Sequence, residues 1–170
     1  MKKDKYSLLI ELSNAFGVSG KEMSVRDIII KNIKKYTNDI SVDRLGNLIV
    51  HKKGKRNKIM LAAHMDEIGL MVKNIEKDGK IRISKIGGIE DIVMLNEKVQ
   101  IKTRKGIIKG IITTDAIAGS QKVAEHYTIN DMYIDTGLSH DELLKQTVHI
   151  GSFISFSPNA DIIADGRIIT

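Results

Sequence analysis

The chain has 170 residues, 42% hydrophobic and 28% charged, which is typical of a globular protein of about one domain with room for an insertion. It contains no cysteine, which excludes disulfides and thiolate metal sites, so any metal must be held by His, Asp or Glu. No apolar run approaches the roughly 18 residues that span a membrane, and the amino terminus is charged rather than signal-like. We therefore expect a cytoplasmic protein without a membrane partner.

The net charge of +6 raises the hypothesis of a nucleic-acid partner. The densest cluster of positive charge is the segment Lys52–Lys58. This segment contains Gly and Asn and lies between two apolar runs. That composition is typical of a solvated hairpin connection. Aromatic residues make up only 4% of the chain, and none interleaves with these lysines to stack on bases. We favour the solvated connection and expect no nucleic-acid partner.

The amino-terminal third predicts two helices followed by a β-hairpin. Ser19 and Glu22 have the spacing of a capping box in front of the second helix. The residues Ile40 to Asp43 and Leu48 to His51 flank a Leu-Gly-Asn turn and predict the hairpin. Two apolar stripes with helical spacing support the helices: Leu8, Leu9, Leu12, Ala15 and Phe16, then Val25, Ile28, Ile29 and Ile33.

A continuous apolar run, Ile59 to Ala63, predicts a strand buried on both faces. His64 and Asp66 follow it directly, and in open α/β sheets ligands collect beyond the carboxyl ends of strands. A His-x-Asp triplet there can place an imidazole on a metal while the carboxylate orients it. The alternative is that His64 is a packed, hydrogen-bonded histidine without a ligand.

Beyond Leu70 the sequence changes to short β-rich runs separated by tight turns. Regular short strands at this spacing predict a small, partly closed β-barrel or a sandwich. One helix is expected within it, with Ser139 as N-cap and Asp141 and Glu142 in its first turn. Asp165-Gly166 predicts a turn into a last strand. The runs are Leu70 to Ile75, Ile81 to Ile86, Lys98 to Thr103, Ile107 to Thr113, Met132 to Asp135 and Phe153 to Phe156.

Five segments in this order resemble the tetrahedral metallo-aminopeptidases, also called deblocking or glutamyl aminopeptidases. The segments are Phe16–Gly20, Asp43–Asn47, Ile59–Gly69, Gly87-Gly88 and Tyr133–Gly137. The resemblance covers only the amino-terminal half of that family. It implies an α/β fold in which part of the aminopeptidase catalytic domain, with two helices, a hairpin and a central strand, is interrupted by an inserted β-barrel-like domain. The expected division is 1–70 catalytic, 71–162 inserted assembly domain, and 163–170 the truncated return into the catalytic domain.

The resemblance also implies a reaction, the hydrolysis of amino-terminal residues from peptides by two divalent metal ions, zinc or cobalt. His64 would be a ligand of one ion, and Asp66 the catalytic-site carboxylate that orients it. The family's bridging Asp, general-base Glu, two further carboxylate ligands and second His would lie beyond residue 170. The chain alone is therefore expected to bind metal weakly or not at all and to be inactive.

Two further expectations concern partners and the remaining candidate ligands. The chain is expected to pair with copies of itself or with a missing carboxyl-terminal half. An alternative function is a non-catalytic assembly or regulatory module that acts through the β-rich insertion. Glu67 is interpreted as a neighbouring surface carboxylate. The other four histidines are interpreted as surface or interface residues: His51, His126, His140 and His149.

Overall fold

The computed structural model describes residues 6–115, 127–164 and 168–169. It divides into two compact units, the first formed by Met1–Asp66 with Pro158–Thr170 and the second by Glu67–Ser157. The expected turn at Asp165-Gly166 and the residue His126 lie outside the described residues. Within the described parts of the chain, no helix combines the length and the apolar character needed to cross a membrane.

The first unit contains the two predicted helices and the predicted hairpin. Helix α1 spans Ser7–Ser13 and helix α2 spans Met23–Ile33. Strands β1 (Ile40–Val42) and β2 (Leu48–Val50) pair antiparallel, with Ile40 opposite Val50. A second short pair joins the strands Ile162–Ile163 and Ile168–Ile169, which become β9 and β10 in chain order.

The hydrogen bonds and backbone conformation of the hairpin turn explain the amino-acid composition of the segment Asp43–Asn47. One carboxylate oxygen of Asp43 accepts from the backbone N–H groups of Leu45 and Asn47, both at 2.9 Å. The other accepts from the Asn47 side-chain amide at 2.8 Å. Gly46 has φ of +93°, a backbone conformation that glycine adopts without a steric penalty. These hydrogen bonds hold the pKa of the Asp43 carboxyl below its usual value, and the bond from the Asn47 side-chain amide has the largest effect.

The predicted buried strand from Ile59 to Ala63 does not form in this structure. The segment has no regular secondary structure, and Ile59, Met60 and Leu61 are 85%, 88% and 93% exposed. A strand requires neighbours for its backbone N–H and C=O groups, and no described residue pairs with this segment. The preceding Lys52–Lys58 segment is exposed, as predicted, but it does not connect the two strands of a hairpin.

The second unit is a closed barrel of six antiparallel strands. The strands neighbour one another in the order β3-β4-β7-β6-β5-β8, and β8 pairs back onto β3. The prediction of a β-barrel is thus confirmed, and the barrel closes fully, which leaves no unpaired edge strand. The bounds are β3 Gly69–Ile75, β4 Ile81–Ile86, β5 Lys98–Thr103, β6 Gly106–Thr114, β7 Met132–Asp135 and β8 Phe153–Phe156.

Among the elements that the structure describes in full, three short helical segments lie between these strands. Two are 3₁₀ turns, Asp91–Val93 and Ile129–Asp131. The third is helix α3, His140–Lys145, which begins as predicted after Ser139. The Ser139 hydroxyl accepts from the Glu142 backbone N–H, and the Glu142 carboxylate accepts in return from the Ser139 backbone N–H at 2.9 Å. The capping box at this position is confirmed.

Alternation along the strands fills the barrel interior with aliphatic side chains. In β5, Val99 and Ile101 are fully buried while the residues between and beside them are more exposed. Burying one such side chain contributes about 1.5–3 kcal/mol, so the barrel has a substantial core of its own. The fully or almost fully buried interior residues from the strands include Leu70, Val72, Ile81, Ile83, Val99, Ile101, Ile112, Met132, Ile134 and Ile154.

Gly79 provides a test of the turn between β3 and β4. Its φ is +92°, and a Cβ atom there would lie 2.3 Å from the backbone oxygen of Leu138. Gly79→Ala should therefore lower the free energy of unfolding by more than about 1 kcal/mol, measured by urea titration with circular dichroism. Gly88→Ala is the matched control because a Cβ atom there meets nothing within 4 Å. Equal midpoints for the two variants would contradict this account of the turn.

Candidate metal centre

The structure brings the two sequence-predicted site residues together with a third, Ser19. The ring nitrogen Nδ1 of His64 lies 2.9 Å from the backbone oxygen of Asp66 and 3.0 Å from its carboxylate oxygen Oδ1. The hydroxyl of Ser19 donates a hydrogen bond to the other carboxylate oxygen, Oδ2. All three residues belong to the first unit.

The neighbours of Nδ1 determine the protonation pattern of the His64 ring. Both atoms that approach Nδ1 are oxygens, and a backbone carbonyl oxygen can only accept. The hydrogen-bond network therefore assigns the proton of the neutral ring to Nδ1 and leaves the lone pair on Nε2. The His64 side chain is 86% exposed, so this lone pair is accessible to a ligand. Such an arrangement is typical of a metal-binding histidine whose other nitrogen is held by a carboxylate.

The environment of Asp66 favours its charged form. Donation from the Ser19 hydroxyl, followed by the His64 ring, holds the pKa of the Asp66 carboxyl below its usual value. The Asp66 side chain is 41% exposed, so water screens the charge and the effect on stability is small. Asp66 is thus an ionised acceptor at neutral pH, which is the state needed to hold an imidazole N–H.

Close packing of the Phe16–Gly20 segment positions Ser19 beside Asp66. Phe16 and Val18 are buried on either side of Gly17. A Cβ atom on Gly17 would lie 2.7 Å from a methyl group of Val25 and 3.5 Å from the backbone oxygen of Met65. Because Met65 stands between His64 and Asp66 in the chain, this close approach brings the segment alongside the His-x-Asp triplet.

The prediction that Ser19 caps α2 is wrong. Residue Glu22 is the N-cap of α2 and makes no side-chain capping bond; its carboxylate accepts from the Gly20 backbone N–H at 2.5 Å. The Ser19 hydroxyl bonds instead to Asp66, because a charged acceptor binds more strongly than a backbone group. Sequence reasoning thus missed Ser19 as a site residue, although it lies within one of the segments that resembled the aminopeptidases.

The described residues supply an incomplete donor set for a metal ion. No group of three or more His, Cys, Asp or Glu side chains in the described ranges could hold one. Glu67 is exposed, as expected of a surface carboxylate. In each of the other described histidines, Nδ1 contacts an oxygen atom of one other residue. The pairs are His51 with Asp39, His140 with Asp141, and His149 with the Ile150 backbone oxygen.

Comparison with known proteins identifies the family. The family model of the M42 glutamyl aminopeptidases matches residues 46–170. The chain belongs to this family. The match begins in the turn of the predicted hairpin, at Gly46, and includes the His-x-Asp triplet and the whole barrel. The resemblance inferred from the ordered segments is thereby confirmed.

Individual relatives agree with the family assignment. The lysyl aminopeptidase of Pyrococcus furiosus is 31% identical over 170 residues, which cover 97% of this chain and 49% of the relative. The TET aminopeptidase of a marine-sediment Thaumarchaeota archaeon superposes with a TM-score of 0.85 at 31% identity, over 95% of this chain and 47% of that one. The Pyrococcus horikoshii TET1 peptidase gives 0.78 at 32% identity, over 93% and 48%. The chain spans about half the length of the curated relatives it matches.

The charge on Asp66 gives the first unit a testable pH dependence. Because the folded-state pKa lies below the unfolded value of about 3.9, ionised Asp66 stabilises the fold above that pH, and the contribution is lost as the pH falls through the folded pKa. Asp66→Asn should lower the urea midpoint at pH 7, and the gap to wild type should close in acid. Asp27→Asn, an exposed position on α2, is the control for removing a surface carboxylate. A gap that stays constant into acid would contradict this role of the charge.

Proposed function

We propose that this chain is part of a metal-dependent aminopeptidase that removes amino-terminal residues from peptides. His64 binds one of two divalent ions through Nε2, and Asp66 orients the ring. The observation that supports this role is the contact of His64 Nδ1 with two oxygens of Asp66, which leaves Nε2 available on an exposed side chain. The family membership supports the reaction class.

The metal centre proposed here is shared with polypeptide that these 170 residues do not contain. A catalytic zinc site normally has three protein ligands, and the described residues offer one oriented imidazole. When bound, the ions would polarise a peptide carbonyl and activate water. The contribution of this chain is limited to holding an ion at His64 and fixing the ring through Asp66. The other ligands would come from the part of the relatives that the chain does not match.

The exposed apolar segment before His64 supports the same proposal. Ile59, Met60 and Leu61 expose almost all of their surface, although their sequence is typical of a buried strand. We propose that this segment pairs with strands of the unmatched half and becomes the central strand of the catalytic domain. In this interpretation residues 1–70 and 163–170 contribute to that domain, and residues 71–162 form the inserted assembly domain.

A fusion experiment tests the proposed function. The chain is joined to the carboxyl-terminal half of the Pyrococcus furiosus lysyl aminopeptidase, which this chain does not match. The fusion should hydrolyse an aminoacyl p-nitroanilide when cobalt or zinc is added, whereas each half alone should not. Hydrogen exchange at residues 59–63 should slow in the fusion because the strand gains partners.

Matched variants make the fusion experiment specific to His64. His64→Ala should abolish the metal-dependent hydrolysis. His51→Ala, at an exposed histidine that pairs with Asp39, should leave it unchanged. Hydrolysis that survives His64→Ala would overturn the assignment of His64 as a metal ligand. A folded fusion that binds metal but cleaves no peptide substrate would overturn the proposed reaction.

A second candidate function, an assembly module, is favoured by the surface of the barrel. Among the described residues of the second unit, the four most exposed large apolar side chains are Ile92 at 76%, Ile150 at 67%, Val93 at 59% and Ile107 at 53%. Ile92 and Val93 are adjacent on one 3₁₀ turn, and contiguous exposed apolar surface often marks a protein interface. The Pyrococcus horikoshii relative can assemble into a tetrahedron or an octahedral shell. We propose that this barrel joins copies of the chain.

Light scattering after size-exclusion chromatography tests the assembly role. The wild-type chain should elute as an oligomer, and Ile92→Ser with Val93→Ser should shift it towards the monomer because both side chains are largely exposed on one 3₁₀ turn. Leu45→Ser is the control, at an apolar residue of the first unit that is 89% exposed. A wild-type chain that is monomeric at all concentrations would exclude self-assembly.

A further inference from the structure

We propose that Ser19 is a positioning residue of the metal centre: by donating its hydroxyl hydrogen to Asp66 it holds the carboxylate that holds the His64 imidazole. The inference rests on the proposed function, because it assigns a task to Ser19 within the same site. The three side chains form a continuous chain of hydrogen bonds in the order Ser19, Asp66, His64.

The two carboxylate oxygens of Asp66 have different partners. Oδ1 faces Nδ1 of His64 at 3.0 Å, and Oδ2 accepts the hydrogen bond from Ser19. The torsion that turns a carboxylate group is broad and roughly two-fold, so a carboxylate with one partner rotates easily and exchanges its oxygens. A donor on Oδ2 opposes this rotation. Ser19 thus keeps Oδ1 directed at the imidazole.

Ser19 is suited to this task because its own backbone is fixed. Val18 is fully buried, and its backbone oxygen accepts from the Lys21 N–H at 2.7 Å, which closes a turn around Ser19. The side chain has one torsion before its hydroxyl, so it loses little conformational freedom on bonding. A donor on a fixed backbone orients its acceptor better than mobile water does, although water can reach the 41% exposed Asp66 side chain.

This arrangement sets the size of the expected effect. Removing a group that contacts a ligating histidine directly typically lowers metal affinity by about 10–100-fold. Ser19 acts one bond further away, and water can partly replace it. We therefore expect Ser19→Ala to weaken cobalt binding at His64 by roughly two- to tenfold.

Nuclear magnetic resonance of the metal-free 170-residue chain measures the positioning directly. The ¹⁵N shifts of the two His64 ring nitrogens report which one carries the proton. Wild type should have the proton on Nδ1, and Ser19→Ala should move part of the population to Nε2. Ser19→Thr retains the hydroxyl and should restore the wild-type shifts. Ser13→Ala, at an exposed serine at the end of α1, is the control.

Ser19→Cys is a second variant that keeps the proposal testable if Ser19→Ala does not fold. It keeps the shape of serine but replaces the hydroxyl with a weak S–H donor. It should therefore resemble Ser19→Ala in the ring-nitrogen shifts while its backbone amide spectrum matches wild type. Ring-nitrogen shifts that are unchanged in folded Ser19→Ala or Ser19→Cys would overturn the proposal.

A titration of the fusion protein described above with Co²⁺ alone separates this inference from the proposed function. The paramagnetic effect on the His64 signals gives the affinity of each variant. Weaker binding in Ser19→Ala, restored in Ser19→Thr, supports the positioning role. Equal binding in both with unchanged ring-nitrogen shifts overturns that role and leaves the proposed function intact. If His64 of the wild-type fusion does not respond to Co²⁺, the metal role fails, and the ring-nitrogen shifts of the metal-free 170-residue chain still decide the role of Ser19.

Discussion

One imidazole N–H group, shared between two oxygens of Asp66, determines what the first unit can contribute. The backbone carbonyl at 2.9 Å and the carboxylate at 3.0 Å both accept from Nδ1, so the lone pair of the ring lies on Nε2. The site depends on this contact, because the apolar segment before His64 forms no strand that could hold the His64 backbone in place. The orientation of the candidate ligand therefore comes from side-chain hydrogen bonds rather than from a sheet.

The barrel could be predicted from the sequence because the information that specifies it is local. Strands β4 and β5 alternate apolar and polar residues, and the turns between the short β-rich runs contain glycine, so neither requires distant partners to be recognised. Ser139 and Glu142 cap α3 as predicted, since both members of that capping box lie within four residues. Asp43 and Asn47 close the hairpin turn in the same local way.

The features that the sequence did not predict depend on partners distant in the chain. Ser19 and Glu22 have the same spacing as Ser139 and Glu142, yet Ser19 bonds to Asp66, which lies 47 positions away. A charged acceptor that arrives through tertiary packing overrides a local capping preference. The run from Ile59 to Ala63 has the composition of a central strand, but composition cannot supply the neighbouring strands that it needs. The pairing of His64 with Asp66 was expected from the His-x-Asp spacing and, independently, from the resemblance to a family.

The uncovered run Ile59–Leu61 has a consequence for how the chain behaves in concentrated solution. A β-prone segment with free backbone groups can recruit the same segment of another molecule, which is the first step of fibril growth. The lysines and arginine at 52–58 stand immediately before it and repel the matching stretch of an approaching molecule. This charge therefore opposes the pairing of the exposed segments of two molecules, and raising the salt concentration should weaken that repulsion.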